Sequence, residues 1–125
     1  MIDLLPQKDP MIMVSYFKDN SVFFEIEENN IFLDDGIFQE AGILEHIAQS
    51  VILYFYNAPN EENYISVQPK IGKILNSTFE RVVQKGNILE TKVNVLFQDK
   101  NLIDIEATSF VGDEKAAFSE MLLIL

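Results

Sequence analysis

In the stretch EAGILEHIAQSVILYFYN, residues 40 to 57, a carboxylate and an imidazole stand side by side at Glu45 and His46, with an amide and a hydroxyl following at Gln49 and Ser50. At helical spacing Glu45 and Gln49 are four apart and share a face, while His46 and Ser50 form a second pair about 100° round. From Val51 to Tyr56 every residue is apolar or aromatic. A carboxylate placed where a helix enters an apolar core is costly to bury unless it is hydrogen-bonded or neutral, and that environment is how a general acid is made. The plainer alternative is a Glu45 favoured by the helix dipole in the first turns, capping backbone amides.

The elements that must position these groups are legible in the hydrophobic period. MIMVSYF and SVFFEIE are two β-rich runs separated by KDN, whose Asp-Asn pair is turn chemistry, so they read as a hairpin. NNIFLDDGIFQE is irregular and delivers the chain to a helix starting near Glu40, and Pro59 marks the helix end. After the helix the period switches to two. In NILETKVNVLFQ, residues Leu89, Thr91, Val93, Val95 and Phe97 fall on one face, and in the next run Ile103, Ile105, Ala107 and Val111 oppose Asp104, Glu106 and Thr108. Four strands are expected in a meander: GKILNSTFERVV, NILETKVNVLFQ, LIDIEATSFVG and KAAFSEMLLIL. A helix apolar on nearly every side must be covered on most of them, which a strongly curved antiparallel sheet wrapped around it achieves. The expectation is an α+β domain spanning residues 1–125, with one long central helix.

Bulk composition narrows the function. A chain of 125 residues with 48% hydrophobic residues and a mean hydropathy of +0.09 has enough apolar material for one packed core. It has no cysteine, which removes disulfide frameworks, thiolate metal sites and thiol nucleophiles together. A net charge of -11 argues against nucleic-acid binding, which needs Lys and Arg against phosphates. No apolar run approaches the roughly 18 to 20 residues that span a bilayer, and MIDLLPQKDP has no basic region followed by a long apolar run, so a cytoplasmic protein is expected. Against the acidic background Lys70, Lys73, Arg81 and Lys85 crowd one segment, either as gatekeepers on a strand edge or as a docking patch for an acidic partner.

Two stretches carry a resemblance. LPQKDPMIMV, residues 5 to 14, and GIFQEAGILEHIAQSV, residues 36 to 51, resemble the hotdog-fold β-hydroxyacyl-acyl-carrier-protein dehydratases, in which an early Leu-Pro-His-Arg-x-Pro segment precedes a strand and a Gly-Val-Leu-x-x-Glu-Ala-x-Ala-Gln segment opens the central helix. The resemblance implies the hotdog fold, a dimer whose subunits join their sheets, and a site drawn from both chains. It puts Glu45 in the place of the helix carboxylate, Gln49 and Ala48 in the place of the Ala-Gln pair, and Leu5, Pro6 and Pro10 on the early segment. The catalytic histidine falls on Gln7, and an amide takes up no proton near neutral pH. Only Ile43 and Leu44 separate Gly42 from Glu45, where the family has four residues. The amide facing the thioester oxygen is therefore sought at Gly42 or at neighbouring helix N-terminal amides. His46, the one histidine, is the remaining candidate base, although its offset from Glu45 points it at a strand or a partner as a structural residue.

What the resemblance implies is an enzyme acting on acyl-carrier-protein or coenzyme A β-hydroxyacyl thioesters, with Glu45 as acid, Gln7 and His46 beside it, and Gly42, Gln49 and Pro10 against the substrate. An apolar cavity is expected beside Glu45, bounded by the helix and the strand after Gly72. Lys70, Lys73, Arg81 and Lys85 are the expected carrier-docking residues, and no cofactor or metal is implied. Two alternatives need no histidine: a thioesterase whose carboxylate activates water, and a non-catalytic acyl-binding subunit paired with a His-bearing relative.

Overall fold

The computed structural model describes Leu5, residues 8–57 and residues 69–125, so Pro6, Gln7 and Pro59 lie outside the described residues. The chain order is β1 (Tyr16–Lys18), β2 (Ser21–Glu25), β3 (Leu33–Asp34), β4 (Ile37–Phe38), α1 (Glu40–Asn57), β5 (Lys70–Phe79), β6 (Ile88–Gln98), β7 (Leu102–Val111) and β8 (Glu114–Ile124). Six strands form one antiparallel sheet in the order β1-β2-β6-β7-β8-β5, and the helix packs on its inner face. Ile43, Ile47, Val51 and Phe55 of α1 meet Leu89, Ile103, Ile105, Ala107, Ala117, Met121 and Leu123 of the strands in the main core, and Ile52 and Leu53 join Leu5, Val14 and Val22 in a smaller cluster. No helix among the described residues is long and apolar enough to cross a membrane.

The first hairpin turns at Asp19 and Asn20, both at positive φ (52° and 64°), which is the two-residue geometry that matches strand twist. Its first strand is shorter than MIMVSYF suggests, because residues 11–13 are bonded by helix side chains instead of by a strand. The ladder resumes only where the Ser15 amide donates to Phe23 O (2.7 Å).

The four-strand meander holds for β6, β7 and β8 but not for β5, which pairs with β8 at the far edge of the sheet. Both edges of β6 are taken, by β2 and β7. The Lys85-Gly86-Asn87 turn is present, with Gly86 at φ +86°, yet it ends a crossing segment rather than a hairpin. That segment is stitched to the chain preceding the helix. The Phe38 amide donates to Val83 O, the Lys85 amide to Gly36 O and the Gly86 amide to Ile26 O.

A second departure is local. A bulge between Val95 and Phe97 reverses the alternation, so Phe97, expected inside, is 54% exposed and sits opposite Asp104. Along the free edge of the sheet β5 pairs with no further strand among the described residues, and Ile74 and Leu75 are exposed there.

Candidate functional site

The helix begins at Gln39, whose carbonyl accepts from the amides of Gly42 (2.9 Å) and Ile43 (3.1 Å). Gly42 is a packing glycine: a Cβ there would stand 2.7 Å from Phe32 Cβ and from the Phe38 ring. Its amide is spent within the helix start, so the first-turn donors without a partner among the described residues are those of Glu40 and Ala41. Of these two residues Glu40 borders a cavity of about 610 Å³, lined by Ile37, Phe38, Gln39, Glu40, Ile43, Phe79, Glu80, Arg81, Val82 and Val83. Helix residues and the end of β5 bound this cavity, as expected of an acyl pocket, but Glu45 is not in its lining. Two positions beyond Ile43 on a helix is about 200° of rotation, which turns Glu45 away.

Glu45 instead shares a half-open stripe with Ala41, Leu44 and Ala48 on the side of the helix away from the cavity. Its Oε1 accepts from Gln49 Nε2 at 3.0 Å. The same nitrogen donates to Met11 O at 2.7 Å, and Gln49 Oε1 accepts from the Met13 amide at 2.8 Å. Gln49 is fully buried, and both of its N–H groups are engaged within the chain, leaving none for a substrate. Its role in the structure is to tether residues 11–13 to the helix and to hold the Glu45 carboxylate.

His46 is sealed in the core at 0% exposure. Its Nδ1 lies 2.7 Å from Met13 O, which can only accept, so this nitrogen carries the proton. Nε2, 2.7 Å from Thr91 Oγ1, accepts the threonine hydroxyl, and Thr91 Oγ1 in turn accepts from Ser109 Oγ at 2.6 Å. Burial pulls the ring's pKa down from 6.5 to about 4, with the hydrogen bond to Met13 opposing in part. A neutral imidazole with both nitrogens committed and no open face has no route to a substrate proton.

Pro10 lines a second cavity, of about 560 Å³, with Asp9, Ile12, Val14, Ser15, Phe24, Glu25, Glu27, Asn29, Asn30 and Ile31. The four basic residues are spread along and beyond β5. Lys70 and Lys73 lie at its start, whereas Arg81 and Lys85 follow its end, roughly 30 Å further along an extended strand. Arg81 Nη1 pairs with Glu114 at 2.9 Å and Lys85 Nζ lies 3.7 Å from Glu28; of the four, Arg81 lines the first cavity. On the outer face of the sheet the Glu120 carboxyl is held above its usual value, first by a hydrogen bond with Asp104 and then by burial and the charges of Asp104 and Glu106.

Reasoning from the sequence missed Thr91 and Ser109. The signal for them was present: each is a hydroxyl in an otherwise apolar inward row, Leu89-Thr91-Val93 and Ile105-Ala107-Ser109. Their register, Thr91 directly opposite Ser109, follows only from the strand pairing.

No protein-family model matches the sequence, and no curated protein matches it. Solved structures do match. A chain of the dehydratase heterocomplex ApeI:P from Xenorhabdus doucetiae aligns over 96% of this chain and 86% of its own, with a TM-score of 0.73 at 17% identity. The sigma28-regulated virulence protein Cj0977 from Campylobacter jejuni aligns over 97% and 89%, with a TM-score of 0.73 at 13% identity. A thioesterase from Thermus thermophilus, solved with coenzyme A and zinc, aligns over 83% and 76%, with a TM-score of 0.65 at 18% identity. The architecture is the α+β hotdog fold, an antiparallel curved sheet packed against one helix.

Proposed function

We propose that this chain contributes Glu45 to a composite acyl-thioester site closed by a second hotdog chain, with β-hydroxyacyl thioesters of acyl carrier protein or coenzyme A as its substrates. The observation that carries the reading is the Glu45 carboxylate itself. It is the one acidic group of the helix beyond the first turn, it is oriented by a fully committed Gln49, and it opens onto a stripe of Ala41, Leu44 and Ala48 that suits an apolar chain or a partner's surface. The exposed β5 edge, with Ile74 and Leu75, is where a second sheet would continue this one.

Dehydration removes the proton on the carbon beside the thioester carbonyl and expels the β-hydroxyl as water. Glu45, in its protonated form, gives its proton to the departing hydroxyl. The base must come from elsewhere, because His46 is sealed and the early segment of this chain carries Gln7. A His-bearing partner chain supplies it in this reading, which the likeness to one chain of a dehydratase heterocomplex supports.

A second reading is favoured by a specific observation: the carboxylate this chain places on the stripe is held in orientation by Gln49, and an oriented carboxylate suffices to activate water on a thioester. One assay separates the two. The chain is incubated alone with saturated acyl and β-hydroxyacyl thioesters, following free thiol and enoyl absorbance. Thiol release from both substrates, abolished by Glu45→Gln, selects hydrolysis. Enoyl formation that appears only on adding a His-bearing hotdog chain, and is lost with Glu45→Gln, selects dehydration. Turnover of either kind that survives Glu45→Gln rejects the site.

A further inference from the structure

Met13 stands where a strand was expected, yet both of its backbone polar groups go to side chains of the helix. Its amide donates to Gln49 Oε1 at 2.8 Å, and its carbonyl accepts from His46 Nδ1 at 2.7 Å. Gln49 Nε2 adds Met11 O at 2.7 Å. Two helix side chains thereby replace a β-ladder over residues 11–13. The imidazole in this clasp cannot swivel, because its other nitrogen is held by Thr91, Thr91 is held by Ser109, and one face of the ring stacks on Phe24 (5.8 Å between centroids, 20° between planes). A run of fixed groups thus leads from β7 through β6 and the helix to the segment carrying Pro10. Packing alone does not call for an imidazole here. A leucine of similar size would fill the space without the penalty of burying a polar ring, so what His46 adds is the polar connection.

We infer that His46 is a positioning residue of the Glu45 site: through Met13 it fixes where residues 8–13 lie against the helix, and through the shared Gln49 it steadies the Glu45 carboxylate. Gln49 Nε2 joins the two ends directly, bridging Met11 O and Glu45 Oε1. When the His46 hold on Met13 goes, the segment that anchors Gln49 loosens, and the Glu45 carboxylate that Gln49 holds is less firmly oriented. The consequence for turnover rests on the acyl-thioester reading; the clasp itself does not.

The test combines amide hydrogen exchange with kinetics in three variants of the full chain. In His46→Leu the amides of residues 11–15 exchange at least about 10-fold faster, while those of β7 and β8 keep their protection. In the Gln7→His background, where this chain supplies its own base, turnover of the thioester falls by about 10-fold to 100-fold in kcat, with KM little changed, as expected of a misplaced group. His46→Asn, whose side-chain amide can reach the same carbonyl, restores both. Thr91→Val, which frees Nε2 without altering the fold's volume, reproduces the loss in milder form and serves if His46→Leu does not fold. Unchanged protection over 11–15 in both disrupting variants overturns the clasp. Lost protection with kcat intact overturns the positioning role. A chain carrying Gln7→His that turns over no thioester overturns the reaction reading and with it the kinetic role, while the exchange still decides the clasp.

Discussion

Replacing Thr91 by valine is nearly isosteric and removes one hydroxyl from the centre of the sheet. That hydroxyl donates to His46 Nε2 at 2.7 Å and accepts from Ser109 Oγ at 2.6 Å, and all three residues are fully buried. The substitution leaves the serine O–H without a partner and the imidazole nitrogen with only a long contact to Ser50 Oγ (3.4 Å), whose proton goes to His46 O, and each loss is worth about 1–3 kcal/mol. The added methyl group returns about 1 kcal/mol of apolar burial. The net expectation is a loss of about 3 kcal/mol, or about a 10 °C fall in melting temperature for a domain of this size. Urea unfolding with an unchanged slope is the assay, since the surface exposed on unfolding is the same. A double-mutant cycle sharpens it: in the valine background Ser109→Ala should cost about 1 kcal/mol less than in the wild type, because the serine has already lost its acceptor. A loss under about 0.5 kcal/mol, or strict additivity with Ser109→Ala, would refute the hydrogen-bonded chain from β7 to the helix.

Three further expectations follow from the same structure. His46 has a folded pKa of about 4 against 6.5 unfolded, so between those values the unfolded chain binds a proton that the folded chain refuses; its stability is complete above about pH 6.5 and is lost as pH falls toward 4, by about 3 kcal/mol. Urea titrations at several pH values should show that dependence, reduced by one proton's worth in His46→Asn. Gly42→Ala places a methyl 2.7 Å from Phe32 Cβ and the Phe38 ring, which should destabilise by about 1–3 kcal/mol; a neutral melting temperature would mean that the preceding loop gives way. Charge reversal in pairs, Lys70 with Lys73 and Arg81 with Lys85, should each weaken binding of an acidic carrier protein and flatten its salt dependence, and binding indifferent to both would identify these residues as a solvated strand and its flank.

The fold was legible because its signals are local. One segment alone had helical period and length, and the inward rows of β6, β7 and β8 alternate almost without error. What failed were features set by non-local pairing. The sequence around Lys85-Gly86-Asn87 has the chemistry of a hairpin turn, and only the competition of β2 for the edge of β6 sends β5 to β8. Phe97 alternates correctly in the sequence and is turned out by a bulge that no local residue announces. The site was legible in part for the same reason. Helical geometry put Glu45 with Gln49 and turned His46 elsewhere, and the structure keeps both relations. The expected cavity, however, formed around Ile43 and the crossing segment, on the other side of the helix, because that space is defined by Arg81, Val82 and Val83 passing in front of the helix start. Hydroxyls at Thr91 and Ser109 looked like ordinary strand residues until their register brought both beneath the imidazole.

The most direct test of the central claim, that Glu45 is one half of a composite acyl-thioester site whose base this chain lacks, is the rate of enoyl-thioester formation by three proteins measured side by side. The native chain alone should dehydrate β-hydroxyacyl thioesters slowly or not at all. Gln7→His should raise the rate by about 100-fold or more, the usual worth of a positioned acid-base group, and Gln7→His combined with Glu45→Gln should return it to the background. Fast dehydration by the native chain that is indifferent to Glu45→Gln would contradict the account and place the chemistry away from this carboxylate.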